Sequence, residues 1–357
     1  MTWSIAVAGA SGRSADTRPR WLALLVGAVV VLGAGGGLAA RFFIAPSPHF
    51  EEVRMLSGGD IPAAVALGPD NSVWFTIENG NALGVLRQGR LQRISKGREN
   101  LEPLGLAVAA DGSVWFTDPI AEAIGHLRSD GSLESFPLPT QVTQFGRLAV
   151  AADGSVWAAD SWSNSLVRLR DGQFTAYPTS SSGAAPFGVS ADAQGGVWAT
   201  YQVANKLVHI DANGQMVELE PPTRSSGPTD IAVDATGAVW VVELRAGAIA
   251  RYDPAAGRFA EFPLPHPQAG VTDLAVGPDG SVWFPELRAQ KLGRLRDGSV
   301  HELALPRADA RPFGVRVDPS GNVWYTDLTG WLGKLPAADA ARAGGLELWR
   351  LFSWPRG

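Results

Sequence analysis

The sequence predicts an all-β protein, a seven-bladed β-propeller preceded by one N-terminal transmembrane or signal helix. Three observations carry that prediction. A phrase of the form x-Val-Trp recurs seven times and sets Trp74, Trp115, Trp157, Trp198, Trp240, Trp283 and Trp324 apart by 41, 42, 41, 42, 43 and 41 residues. Each period holds four short β-rich runs, and a stretch of twenty uncharged residues precedes the first repeat. A fixed period of this size means a repeat architecture, because one unit cannot bury its own apolar faces and must stack on its neighbours.

In chain order, residues 1–20 read as a cytoplasmic segment and Trp21 to Ala40 as a signal-anchor. At about 1.5 Å rise per residue, twenty residues match a hydrocarbon core of roughly 30 Å. Arg13, Arg18 and Arg20 precede the stretch, so the positive-inside rule keeps the N-terminus in the cytoplasm and sends the propeller across. The alternative is a cleaved signal peptide, with Leu22 to Leu32 as its apolar region and cleavage near Ala39 and Ala40. Both place the propeller outside the cytoplasm, either tethered as a single-pass protein of a bacterial cell membrane or released to the periplasm or medium. Residues 41–49 form a linker, 50–352 the propeller and 353–357 a tail.

The sixth repeat shows the unit best: Asp273 to Gly277, Ser281 to Pro285, Lys291 to Leu295 and Ser299 to Leu305, joined by turns such as Pro278-Asp279-Gly280 and Arg296-Asp297-Gly298. Aspartate-glycine between apolar runs signals a tight hairpin. Four antiparallel strands make a propeller blade, and seven blades closing into a ring leave no exposed terminal repeat. Closure needs one more strand. Phe50 to Leu56 resembles the fourth strands Phe174 to Pro178 and Glu261 to Pro265 and is expected to complete blade seven, with Leu346 to Phe352 as its competitor for the slot.

Composition narrows the function. Without the first forty residues the chain has 27 basic and 34 acidic residues, a net of −7, the wrong sign for a phosphate-binding surface, so nucleic acid is not an expected partner. The absence of cysteine fits an oxidising compartment and removes thiolate chemistry. There is no Walker loop, HExxH or GxSxG motif.

The start of each first strand and the end of each second strand share one rim. Eleven residues before each tryptophan lies a ring of Ala63, Leu104, Gly146, Phe187, Thr229, Thr272 and Phe313; next to it lie Ala64, Gly105, Arg147, Gly188, Asp230, Asp273 and Gly314. Arg147, Phe187, Thr229, Thr272, Arg311 and Phe313 are the expected ligand rim. Three residues beyond the tryptophans sit Ile77, Asp118, Asp160, Tyr201, Glu243, Glu286 and Asp327. Five carboxylates around one mouth raise one another's pKa unless cations or hydrogen bonds compensate. Asp230, Glu243, Asp273 and Glu286, on adjacent blades, are candidate oxygen ligands for Mg²⁺ or Ca²⁺. Turn amides or Arg245 and Arg288 are the structural alternative. Among the histidines, His126 and His209 occupy a column held elsewhere by Arg168, Arg251 and Arg294, whereas His266 lies in a connection to the rim and is the remaining candidate general base.

The phrases DGSVWFTD (Asp111 to Asp118), GPDGSVWFPE (Gly277 to Glu286), KLGRLRDGSVHELALP (Lys291 to Pro306) and RPFGVRVDPSGNVWYTD (Arg311 to Asp327) resemble the streptogramin B lyase (virginiamycin B lyase) family across residues 50 to 335. The resemblance implies a seven-bladed propeller that opens an antibiotic's ester by Mg²⁺-assisted elimination. It also implies a histidine at the rim of blades six and seven, where this chain has Thr272 and Phe313, and a metal-binding glutamate where it has Arg311. A second metal-ligating glutamate aligns with Leu328 beside Asp327, and a rim tyrosine with Ala63. The catalytic set is thus not retained. The expected function is a membrane-tethered propeller binding a small molecule, glycan or protein at its rim without streptogramin lyase activity. Alternatives are a metal-assisted lyase or lactonase-type enzyme with a relocated carboxylate site, and a sensor or assembly partner acting through the extension from Pro336.

Overall fold

The structure, a computed structural model, describes residues 48–343 apart from 79, 81, 96–104 and 140–143. The expected helix at residues 21–40 and the competing strand at Leu346 to Phe352 lie outside the described residues. No described helix is long and apolar enough to cross a membrane.

Seven four-stranded antiparallel sheets follow one another around a ring, as the repeat predicts. In six blades the strands run inner to outer in chain order, for instance Phe145–Val150, Val156–Asp160, Ser165–Arg170 and Gln173–Pro178 in blade three. Blade seven takes three strands from the C-terminal side, Pro312–Val317, Val323–Asp327 and Trp331–Leu335, and its outer strand, Glu51–Arg54, from the N-terminal side. Glu51 pairs with Lys334 and Arg54 with Trp331, so the segment from Phe50 to Leu56 closes the ring. Blade six departs from its sequence reading: its inner strand shrinks to Ala275–Val276, preceded by a single bridge between Val271 and Glu286. After the last strand a short helix, Ala337–Arg342, ends against Arg294, whose Nη1 donates to the Ala340 carbonyl at 2.8 Å. The residues preceding Glu51 and this helix both join the propeller on the face opposite the mouth.

The repeated residues explain themselves in the packing. Each blade tryptophan faces, on the third strand, a cation or an imidazole: Arg168 lies 5.5 Å from the Trp157 ring, Arg251 5.7 Å from Trp240, Arg294 5.3 Å from Trp283 and Lys334 5.5 Å from Trp324. His126 and His209 fill the same place, stacked on Trp115 at 3.7 Å and on Trp198 at 4.4 Å. Such contacts stabilise by roughly 0.5–2 kcal/mol each, and they account for both histidines without chemistry. One residue on from the tryptophan, Phe75, Phe116, Phe284 and Tyr325 lie over Gly84, Gly125, Gly293 and Gly333, where an added Cβ would meet the ring at 2.0 or 2.1 Å. In blades three to five the pairs are Ala158 with Val167, Ala199 with Val208 and Val241 with Ala250. A large group on one strand is matched by a small one on the next, so interior density is kept.

Candidate functional site

The two rim rings coincide with an irregularity in the inner strands. Pairing shifts between Pro62 and Val65, Phe145 and Leu148, Pro186 and Val189, Pro228 and Ile231, and Pro312 and Val315. The residues bulged out of register are therefore Ala63-Ala64, Gly146-Arg147, Phe187-Gly188, Thr229-Asp230 and Phe313-Gly314. A bulge bends its strand and re-aims its side chains, which here brings both rings to the mouth of the central channel.

Backbone groups freed by the bulges are satisfied in two ways. In four blades a threonine two residues beyond the tryptophan accepts the amide of the second rim residue: Ala64 N to Thr76 Oγ1 and Gly105 N to Thr117 Oγ1 at 2.9 Å, Gly188 N to Thr200 Oγ1 at 2.9 Å and Gly314 N to Thr326 Oγ1 at 2.8 Å. Thr200 and Thr326 pass their own protons to the Thr229 and Ala63 carbonyls of the next blade. Blades three, five and six have Ala159, Val242 and Pro285 in that place, and these are the three blades whose bulges carry Arg147, Asp230 and Asp273. The three charged members of the ring thus stand where the threonine stitch is missing.

They form one cluster. Arg147 Nη2 lies 3.4 Å from Asp230 Oδ2 and donates to the Thr272 carbonyl at 3.0 Å, with its guanidinium 5.8 Å from the centre of the Phe313 ring. Asp230 Oδ1 accepts the Ile231 amide at 2.9 Å. Asp273 accepts Arg316 Nη1 at 2.9 Å and the amides of Val315 at 3.0 Å and Leu274 at 2.8 Å. Burial, followed by the neighbouring Asp273 charge, pushes Asp230 up to about 8 despite Arg147. Burial would raise Asp273 as well, but Arg316, Arg147 and the hydrogen bond with Asp230 hold it below the ordinary carboxylate value. The two carboxyls are thus driven in opposite directions, Asp230 upward by its burial and Asp273 downward by its guanidinium neighbours.

The carboxylates at the ends of the second strands do not join this cluster. Asp118 Oδ1 accepts Ala121 N at 2.9 Å; Asp160 Oδ1 accepts Gln144 N and Trp162 N, both at 3.1 Å. Asp327 takes Arg311 N at 2.9 Å and Arg307 Nη2 at 2.6 Å. Glu243 and Glu286 are fully buried and their oxygens have no hydrogen-bond partner; the Ser226 hydroxyl beside Glu243 is turned to Asn205 Oδ1 at 3.0 Å. Burial, then the charge of Glu261 for Glu243 and of Glu302 for Glu286, pushes both up to about 7. Arg245, weighed in sequence as a partner for Glu243, donates instead to the Gln202 carbonyl at 3.1 Å.

The four candidate metal ligands thus separate into Asp230 with Asp273, facing two guanidiniums, and Glu243 and Glu286, each enclosed in its own blade. Among the described residues no three His, Asp or Glu side chains converge in a cation-holding group. Hard divalent ions want several oxygens around one point, and this donor set does not fit the Mg²⁺ or Ca²⁺ site considered from sequence.

His266 is placed away from the mouth's centre. Its Nδ1 lies 2.7 Å from Glu302 Oε1 and its side chain is 59% exposed. It belongs to a repeated clasp in which the loop leading into a blade bonds a glutamate on that blade's outer strand. Ser180 reaches Glu218 at 2.7 Å, Thr223 reaches Glu261 at 2.8 Å and Arg307 reaches Glu52 at 3.1 Å. Of the expected ligand rim, Arg147 and Thr229 are buried, Phe187, Thr272 and Phe313 half-buried, and Arg311 exposed. Thr272 and Phe313 touch: the threonine hydroxyl donates to the phenylalanine carbonyl at 2.6 Å.

Comparison with curated proteins gives no match. Among solved structures, a catalytically inactive virginiamycin B lyase from Staphylococcus aureus with quinupristin superposes with a TM-score of 0.76 at 24% identity, over 80% of this chain and 98% of that one. A streptogramin B lyase structure gives the same score at 26% identity, over 80% of this chain and 96% of that one. The first of these supports the fold alone. The profile of the Virginiamycin B lyase family matches residues 48–335, all seven blades, and the chain belongs to that family.

Proposed function

We propose that the chain is a membrane-tethered, extracytoplasmic propeller that binds a ligand or partner at its mouth and does not open streptogramin B. One observation carries this reading. Thr272 and Phe313 stand where the resemblance calls for proton-abstracting imidazoles, neither can act as a base, and their mutual hydrogen bond at 2.6 Å closes the space between them. The nearby carboxylate, Asp273, is held by Arg316 at 2.9 Å and by two backbone amides. What remains at the mouth is a binding surface: half-buried Phe187 and Phe313, buried Arg147 and exposed Arg311.

Incubation of the full-length protein with quinupristin and Mg²⁺, followed by chromatographic separation of cyclic and linear forms, should return only the cyclic form; turnover would reject the reading. A thermal-shift screen of small molecules and glycans should give hits that Phe313→Ala abolishes. The alternative, a metal-assisted lyase or lactonase-type enzyme using Asp230, Glu243, Asp273 and Glu286, has in its favour the unpartnered oxygens of Glu243 and Glu286. Against it stand the guanidiniums already bound to the two aspartates.

A further inference from the structure

The mouth face is studded with the hairpins that join second to third strands, and their tips change character around the ring. Five residues beyond the tryptophan, blades two, three and four present Ile120, Trp162 and Val203, exposed by 54, 64 and 60%. Blades five and six present exposed Arg245 and Arg288 in the same place, and exposed Arg311 leads into blade seven. The repeat makes these positions equivalent, so the face is divided into an apolar arc and a cationic arc. They adjoin: the Arg245 guanidinium rests on the Gln202 carbonyl, in the hairpin that carries Val203.

Packing accounts for the stems of Arg245 and Arg288, which lie against Gly227 and Gly270, and for one bond of Arg245, but not for the exposed apolar tips or for the sign of the charge presented. An indole left largely in water, flanked by aliphatic tips on both neighbouring blades, is a patch of the kind that marks interaction sites. The arginines sit on a protein of net negative charge, and the column carboxylates beneath them, Glu243, Glu286 and Asp327, are buried. Neighbouring sheets pack about 10 Å apart, so the arc from blade two to blade six spans roughly 40 Å. That exceeds a small molecule and equals about twelve residues of extended chain at about 3.3 Å each.

We infer that the mouth face binds an extended acidic peptide segment, its apolar side chains covering Ile120, Trp162 and Val203 and its carboxylates meeting Arg245, Arg288 and Arg311. The inference rests on the mouth-binding reading above and names the class of partner. Apolar anchors supply affinity, and the arginines supply direction and a salt-dependent attraction.

The test is fluorescence anisotropy of the full-length protein with fluorescein-labelled peptides of about twelve residues. One half of each peptide carries leucine and phenylalanine and the other aspartate and glutamate, in both orders. One order should bind at least about tenfold more tightly than its counterpart with lysine in place of the acids. Trp162→Ala and Arg288→Gln should each weaken it by about tenfold with unchanged thermal midpoints. Val217→Ala, at a site 53% exposed on the outer strand of blade four, should leave it unaltered. Failure of both orders to bind, equal binding of the lysine form, or indifference to Trp162→Ala and Arg288→Gln would overturn the inference. If the peptides fail while Phe313-dependent thermal shifts persist, the mouth-binding reading survives alone; if both are absent, both fall.

Discussion

Arg147 of blade three donates to the carbonyl oxygen of Thr272 in blade six at 3.0 Å, crossing the mouth of the ring, and pairs on the way with Asp230 of blade five. One side chain thus holds three blades that are not all neighbours in sequence. Arg147 and Asp230 side chains are 8 and 6% exposed. Without Arg147 the Thr272 carbonyl and the Asp230 carboxyl lose a buried donor, at a cost of about 1–3 kcal/mol. Arg147→Met should therefore destabilise the propeller by about 2 kcal/mol in denaturant unfolding, and adding Asp230→Asn should recover part of that loss. A change below about 1 kcal/mol would mean that the cluster is solvated and contributes like an exposed pair.

Glu243 and Glu286 set a pH dependence. Their folded-state values are near 7 against 4.5 for the free group, so between these limits the folded state binds more protons than the unfolded one. Stability must then fall as pH rises from about 4.5 to 7, by an order of 3 kcal/mol per group. Asp230, raised to about 8, acts in the same direction and extends the decline. Thermal midpoints measured between pH 5 and 8 should drop with rising pH, and the slope should lessen in Glu243→Gln and Glu286→Gln. A midpoint that rises over this range would show these carboxyls to be hydrated.

The packing of Phe284 on Gly293 yields a compensation test. A Cβ at Gly293 would approach the ring at 2.0 Å, so Gly293→Ala should cost about 1–3 kcal/mol, as overpacking does. Combining Phe284→Ala with Gly293→Val reproduces the arrangement of Ala158 and Val167 in blade three. The double variant should be more stable than Gly293→Ala alone, measured as a higher urea midpoint.

Divalent cations should not bind at the mouth. Calorimetric titration of the protein with Mg²⁺, Ca²⁺ or Mn²⁺ should show no saturable heat that Asp273→Ala removes. A saturable signal abolished by that substitution would restore the carboxylate metal site and, with it, the enzymatic alternative.

The period of Trp74 to Trp324 and the hairpin turns made the blades legible, because strand pairing within a blade is local and its side-chain alternation is written in consecutive residues. Phe50 to Leu56 was favoured as the closing strand by its likeness to other fourth strands, but the choice between it and Leu346 to Phe352 was not written in the sequence, because the pairing with Trp331–Leu335 spans nearly the whole chain. The inner strand of blade six was less so: Thr272, Asp273 and Leu274 fall out of the ladder, the first two turning their side chains to Phe313 and Arg316 and the third packing into the core. Arg147, Asp230 and Asp273 stood out as charges in a small-residue column, but that they meet depends on ring curvature, which no local pattern encodes. The exchange of Thr76, Thr117, Thr200 and Thr326 for Ala159, Val242 and Pro285 was the available signal. His266 pairs with a residue 36 positions away on an outer strand, and only the loop's path brings the two together.

Because Glu51–Arg54 is held within its sheet by Trp331–Leu335, the earliest of the described strands to leave the ribosome has no sheet partner until the last blade is made. Through most of synthesis the nascent protein is an open crescent with two raw flanks, each able to template a stray chain. The final zipping step joins the most distant parts of the polypeptide and is the slow, entropically demanding one. Any truncation that removes the seventh tryptophan unit leaves the crescent without its latch.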